Sequence, residues 1–88
     1  RLGTIGDAYS EKKDFSNAIS FYKKAIAAGN NELLTPYYIK KLGMLYLYQK
    51  DMPGGLAEFK KLKSDFPLSP ESTDVDKYIS QAGGGIED

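Results

Sequence analysis

The sequence predicts an all-α chain built from two helical hairpins and a closing helix. Three observations predict it. Apolar residues recur at helical spacing along successive stretches, short turns rich in Asp, Gly and Pro separate those stretches, and the size pattern of residues 2–30 returns 37 places later.

Leu2, Ile5, Ala8 and Tyr9 fall at i, i+3, i+6 and i+7, while Thr4, Asp7, Glu11 and Lys12 lie largely off that stripe. Residues 2–12 therefore read as a first amphipathic helix. Gly6 sits inside it at a cost of about 1 kcal/mol relative to Ala, which points to close approach by a partner helix. Lys13 and Asp14 form the turn, and Asp14 or Ser16 is available to cap a second helix. From Phe15 onward, Ala18, Ile19, Tyr22, Ala25 and Ile26 keep to one face, and Gly29 is placed to end this second helix. The connector GNNELLT, residues 29–35, is rich in turn formers.

Thr35 and Pro36 supply an N-cap and a first-turn proline for a third helix that runs to about Lys50. Its stripe of Ile39, Leu42, Leu45 and Tyr46 is joined by Tyr37, Met44, Leu47 and Tyr48 on other faces, with Gly43 within. A helix apolar on several sides is expected to be covered on several sides. After Lys50-Asp51, Pro53 suits the first turn of a fourth helix whose inward stripe is Leu56, Phe59, Leu62 and Phe66; Gly54 and Gly55 weaken its start. Pro67 stops it and Ser69-Pro70 begins a new element. Val75, Tyr78, Ile79 and Ala82 mark an amphipathic closing helix over residues 71–82, broken by the glycines at 83–85; residues 83–88 read as a flexible tail.

The shift of 37 lays Ile5 on Leu42, Gly6 on Gly43, Tyr9 on Tyr46, Lys13-Asp14 on Lys50-Asp51, Ala18 on Gly55, Tyr22 on Phe59 and Asn30 on Pro67. Few pairs are identical, but the order of large, small and aromatic residues is kept. This pattern resembles the tetratricopeptide repeat (TPR), a helical hairpin of about 34 residues. The family's positions fall on Leu2, Ile5, Gly6, Tyr9, Ala18, Tyr22, Ala25 and Asn30 in the first copy. In the second they fall on Ile39, Leu42, Gly43, Tyr46, Gly55, Phe59, Leu62 and Pro67.

The resemblance implies a right-handed superhelix with repeats at residues 1–32 and 36–69 and a C-terminal capping helix at 70–82. Gly6 against Ala18 and Gly43 against Gly55 would let the helices of each hairpin approach, while the aromatics fill the space between repeats. Leu62 stands where the family has a small residue and Asn30 where it has proline. The extra length of the period is assigned to GNNELLT, where it would open the angle between repeats. A finer likeness is to repeat-bearing envelope proteins of Bacteroides-like bacteria, carried by TPYYIKKLGMLY, KSDFP and DVDKYI. It implies a bacterial cell-envelope location, on the periplasmic side, through an anchor upstream. The chain begins at Arg1 rather than Met and reads as a segment of a longer protein.

Composition narrows the function. Twelve basic and twelve acidic residues cancel, so there is no summed positive field of the kind that binds nucleic acid, and no nucleic-acid partner is expected. With no Cys and no His, the thiol nucleophile and the commonest transition-metal ligands are missing; no metal, cofactor or catalysis is expected. No apolar run approaches the roughly 18 residues of a membrane span, so direct membrane insertion by this segment is not expected either. A length of 88 residues suits one domain.

Short motifs that invite sharper readings fail on context. Ser20 and Lys23 satisfy a Ser-x-x-Lys pattern, but the chain lacks the length and further motifs of penicillin-binding enzymes, and both sit on the polar side of a helix. Asp74-Val75-Asp76 has Tyr78 where a calcium loop needs an oxygen ligand, so the acids read as favouring a helix N-terminus. The glycines at 83–85 have no following Lys-Ser/Thr and so do not make a phosphate loop. The lysine pairs at 23–24, 40–41 and 60–61 read as solvated faces.

What remains is partner recognition. In a stacked pair of hairpins the concave surface is lined by the first helix of each: Gly3, Asp7, Ser10 and Glu11 from one, and Tyr37, Lys40, Lys41, Met44, Leu47 and Tyr48 from the other. Tyr, Met and Lys facing Asp and Glu suit an extended or helical peptide. Family members that grip a terminal carboxylate do so with Lys and Asn; Gly3 and Asp7 occupy the corresponding places here, so that clamp is absent. The expected function is a non-catalytic protein-protein interaction module. The alternative is a structural segment that packs on upstream repeats or on a second subunit as a homo-oligomer, with Met44, Leu47 and Tyr48 covered by the closing helix or that subunit.

Overall fold

The computed structural model describes residues 2–29 and 33–84. Among these residues there is no strand. The helices are α1 (Leu2–Glu11), α2 (Phe15–Ala28), α3 (Thr35–Tyr48), α4 (Met52–Asp65) and α5 (Val75–Gln81), with a 3-10 turn at Pro70–Ser72 leading into α5. Arg1, residues 30–32 of the connector and residues 85–88 of the expected tail lie outside the described residues.

Two identical turns set the frame. Asp14 and Asp51 begin α2 and α4 at the same backbone angles, φ −89° and ψ 78°. Each carboxylate accepts the backbone N–H three residues on, from Asn17 at 3.4 Å and from Gly54 at 3.0 Å, so each satisfies a donor that the helix start leaves without a partner. The Asp14 N–H donates to the Tyr9 carbonyl at 2.9 Å and the Asp51 N–H to the Tyr46 carbonyl at 2.8 Å. Just before them, Lys13 and Lys50 are held in the left-handed region, at φ 63° and 68°. Sequence distance and bonding agree. The shift of 37 is a repeat of structure, residue for residue, through both turns.

The hairpins close on glycine. A methyl built on Gly6 would lie 2.9 Å from the Tyr22 ring, and one built on Gly43 would lie 2.9 Å from the Phe59 ring, well inside carbon contact distance. Tyr22 and Phe59 have no exposed surface. The expected approach of Gly43 to Gly55 is present as well, since a Gly55 methyl would come within 3.2 Å of the Gly43 carbonyl oxygen. In α1 the atoms nearest to Gly6 are likewise those of a ring, Tyr22.

α3 is the shared strut. Tyr38, Leu42 and Leu45 join Ala18 and Tyr22 in one buried cluster, while Ile39 joins Phe59, Leu62 and Val75 in a second. Covering on two sides results from its two apolar faces. Tyr22 stacks on Tyr38 at 5.9 Å in the first cluster and Phe59 on Tyr78 at 5.1 Å in the second. Leu62, in place of a small residue, is fully buried in the second core.

Several expectations change. The stripe Leu2, Ile5 and Ala8 is exposed, with Tyr9 half-buried against Phe21; the buried face of α1 is Gly3 and Gly6. Leu34, rather than Thr35, stands at the N-cap of α3, with Thr35 as the first helical residue. Tyr46 is only half-buried, with the Lys23 ammonium 5.8 Å from its ring centre. The closing element is not one helix. Ser72, the last residue of the 3-10 turn, is buried against the end of α4 and donates to the Phe66 carbonyl at 2.6 Å, completing a carbonyl there before the chain turns into α5.

Two ion pairs hold α5 in place: Lys40–Asp74 at 3.0 Å and Lys63–Asp76 at 2.7 Å. Asp74-Val75-Asp76 thus pairs with lysines at the start of a helix. The hydrogen bond from Lys40 holds the Asp74 carboxyl below its ordinary value of 3.8. A carboxyl with a lower value in the folded state contributes its stability above the unfolded value and loses it as pH falls through the folded one. The gap in melting temperature between wild type and Asp74→Asn should therefore be constant from about pH 7 to 5 and close below pH 3.8. Thermal melts across that range, monitored by circular dichroism, check this; a gap unchanged in strong acid would show that Lys40 does not act through the Asp74 charge.

Candidate functional site

α1 and α3 come together at two places, where Tyr38 lies over Gly3 and in the lining of one cleft, and each carries a stripe of the expected site residues. On α3 the stripe is Tyr37, Lys41, Met44 and Tyr48, at i, i+4, i+7 and i+11; on α1 it is Gly3, Asp7, Ser10 and Glu11. Its two ends differ. Near the start of both helices the space is filled. Gly3 is buried under the Tyr38 phenol, and Tyr22 donates a hydrogen bond to the Asp7 carboxylate. Burial and the Asp7 carboxylate together push the Tyr22 hydroxyl far above its usual range, so it stays a donor. Tyr37 packs edge-on against Tyr38 at 5.3 Å.

Toward the other end the helices leave a cleft of about 340 Å³. Its apolar lining is Phe15, Met44, Leu45 and Tyr48; its polar lining is Ser10, Glu11, Lys13 and Lys41. Tyr48 is 64% exposed and Met44 41%, so both large side chains keep open surface along the cleft. The Phe15 and Tyr48 rings meet at 4.9 Å with a tilt of 55°, which fixes one wall. Lys41 reaches back toward the filled end, its ammonium 5.7 Å from the Tyr37 ring centre.

The nine residues that the sequence singles out are therefore spread over three places. Ser10, Glu11, Lys41, Met44 and Tyr48 come together in the cleft. Asp7 and Tyr37 belong to the filled end beside Tyr22 and Tyr38. Lys40 and Leu47 face the opposite side of α3: Lys40 pairs with Asp74 and lies over the Tyr78 ring at 5.5 Å, and Leu47 packs on the Phe59 core. Leu47 is thus covered from α4, where it lies against Gly55, while Met44 and Tyr48 stay open.

Three lining residues carried no sequence expectation of a site. Leu45 read as core, and it is core with one edge in the cleft. Phe15 read as part of an inward stripe, but as the first residue of α2 it stands at the mouth of the hairpin. Lys13 read only as a turn. Its one signal was its alignment with Lys50, and both stand at left-handed turn positions, at φ 63° and 68°.

The cleft offers an apolar floor, an aromatic wall and a charged rim. Such a surface can hold a side chain and steer the residues that flank it. Among the described residues no helix is long and apolar enough to cross a membrane. Comparison with protein-family models, with curated proteins and with solved structures finds no match to this chain.

Proposed function

We propose that this chain is a non-catalytic protein-protein interaction module of the tetratricopeptide kind, which takes a peptide or a partner's surface in the cleft between α1 and α3. The observation that carries this reading is the combination of exposed Met44 and Tyr48 with a formed concave space of about 340 Å³ beneath charged rims. The repeat of turns and of glycine-to-aromatic contacts 37 residues apart supports the family resemblance, as does the short closing element at the end of the second hairpin. The right-handed superhelix is part of the same reading. The likeness of TPYYIKKLGMLY, KSDFP and DVDKYI to envelope repeat proteins supports a cell-envelope setting for the module.

Peptides of about 12 residues selected from a random library on the wild type test it. Tyr48→Ala is expected to weaken their binding about 10-fold or more, a loss of roughly 1.4 kcal/mol, while far-ultraviolet dichroism and melting temperature stay near wild type, because Tyr48 is mostly outside the core. Unfolding by Tyr48→Ala, or undiminished binding, contradicts the assignment.

A second reading has its own observation. On α3, Leu42 and Leu45 are buried against α2. The shift of 37 carries these two positions back to Ile5 and Ala8 on α1, which with Leu2 are exposed. The outer face of α1 therefore has the form of a surface that a second helix covers elsewhere in the same molecule, and on this reading the chain packs on another hairpin or on a second subunit. Light scattering at several concentrations separates the cases: association that Ile5→Glu abolishes supports packing through this face, and a monomer at every concentration excludes packing between copies.

A further inference from the structure

We propose that the occupant of the α1/α3 cleft is a short extended peptide segment that presents one bulky apolar residue flanked by carboxylates. This rests on the reading of the cleft as a binding surface and adds the chemistry of the partner.

Size comes first. A cleft of about 340 Å³ lies at the low end of the roughly 300–1,000 Å³ range of ligand pockets, enough for an anchoring side chain but not for the length of a packed helix. The floor is made by Met44 and Leu45 and the wall by the Phe15 and Tyr48 rings. Met adapts its shape to its neighbours, so a Leu, Met or Phe side chain fits such a floor equally well.

Charge decides the flanks. The two banks carry Lys13, from the turn between α1 and α2, and Lys41, from α3, against a single acid, Glu11. None of these three forms an ion pair among the described residues, whereas Lys40 and Lys63, outside the cleft, are each neutralised by an aspartate. Lys41 has only the Tyr37 ring beneath it, a contact that leaves its ammonium free to meet an anion. Lys13 reaches the cleft from the α1–α2 turn, where its backbone stands at φ 63° and its N–H donates to the Ser10 carbonyl at 3.0 Å. Two lysines on opposite banks of an apolar floor, outnumbering the one acid Glu11 and joined in no ion pair among the described residues, complement a chain with acids on either side of its anchor. A basic segment would meet repulsion from both banks and one attraction.

The test uses three end-blocked fluorescent peptides around a single Phe, flanked by Glu, by Gln or by Lys, with anisotropy read at low and moderate salt. The Glu peptide should bind about 10-fold or more tightly than the Lys peptide, with the Gln peptide between, and the preference should shrink as salt rises. Lys41→Glu and Lys13→Glu should each erase or reverse the order. Lys13→Gly removes the same charge at a backbone angle glycine adopts freely, so it should lose the preference with the fold intact. Equal binding of the three peptides, or a preference that these variants leave unchanged, overturns the charge inference, while the cleft itself stands if Tyr48→Ala still weakens all three. No binding of any of them at millimolar concentration, or binding indifferent to Tyr48→Ala, overturns both.

Discussion

A glycine pressed against an aromatic ring holds each hairpin closed, and the rest of the molecule is arranged on those two contacts. Gly6 lets Tyr22 lie flat on the α1 backbone, and Gly43 does the same for Phe59 on α3. Each ring then has one face spent within its hairpin and the other free to reach the next element. Tyr22 spends it on Tyr38 and Phe59 on Tyr78, so the contact that closes one hairpin also docks the next helix, α3 in one case and α5 in the other. Burying two large rings with no exposed surface is a substantial part of the burial an 88-residue chain can gather, because so small a domain hides a modest share of its surface.

The same contacts leave the cleft open. The Tyr22 hydroxyl, drawn to Asp7, and the Tyr38 phenol over Gly3 fill the space between α1 and α3 at their starts. Among the described residues nothing comparable occupies the other end, where the α1–α2 turn carries the chain away and Phe15 props against Tyr48. A concave surface results from packing that is complete at one end and stops at the other. The far side of α3 is covered by α4 and the 3-10 turn, with Lys40–Asp74 tying α3 to the start of α5, so closing the second core does not close the cleft.

Much of this was legible in the residues. Asp14 was one of two candidates to start α2 and Pro53 suited the first turn of α4, Gly29 with φ 61° marked an end, and Pro36 sits buried in the first turn of α3, each because its backbone chemistry admits few other roles. The inward face of α1 was not legible. An apolar stripe says that one side of a helix differs from the other, and Leu2, Ile5 and Ala8 gave a clear stripe; yet α1 turns its glycines inward, and a search for apolar residues passes over a face whose value lies in having no side chain. The site divided for a similar reason. Lys40 and Lys41, or Met44 and Leu47, are near neighbours in sequence, and only the direction in which α3 meets α1 and α5 sends one of each pair to the cleft and the other to Asp74 or to the Phe59 core. The split of the closing element turned on Ser72, a residue with nothing unusual in its surroundings until its hydroxyl meets the end of α4.

The most direct test of this account is a double-mutant cycle between Gly43→Ala and Phe59→Leu, with stability measured by urea unfolding. Alanine gains about 1 kcal/mol in helix propensity, but here its methyl must enter space held by the Phe59 ring, an overpacking that typically costs about 1–3 kcal/mol. The account predicts that Gly43→Ala destabilises the wild type and is neutral or stabilising once Phe59 is Leu, a coupling of about 1 kcal/mol or more. Equal effects of Gly43→Ala in both backgrounds would show that the glycine and the ring do not act together, and the contact taken to organise the fold would not be the one that holds it.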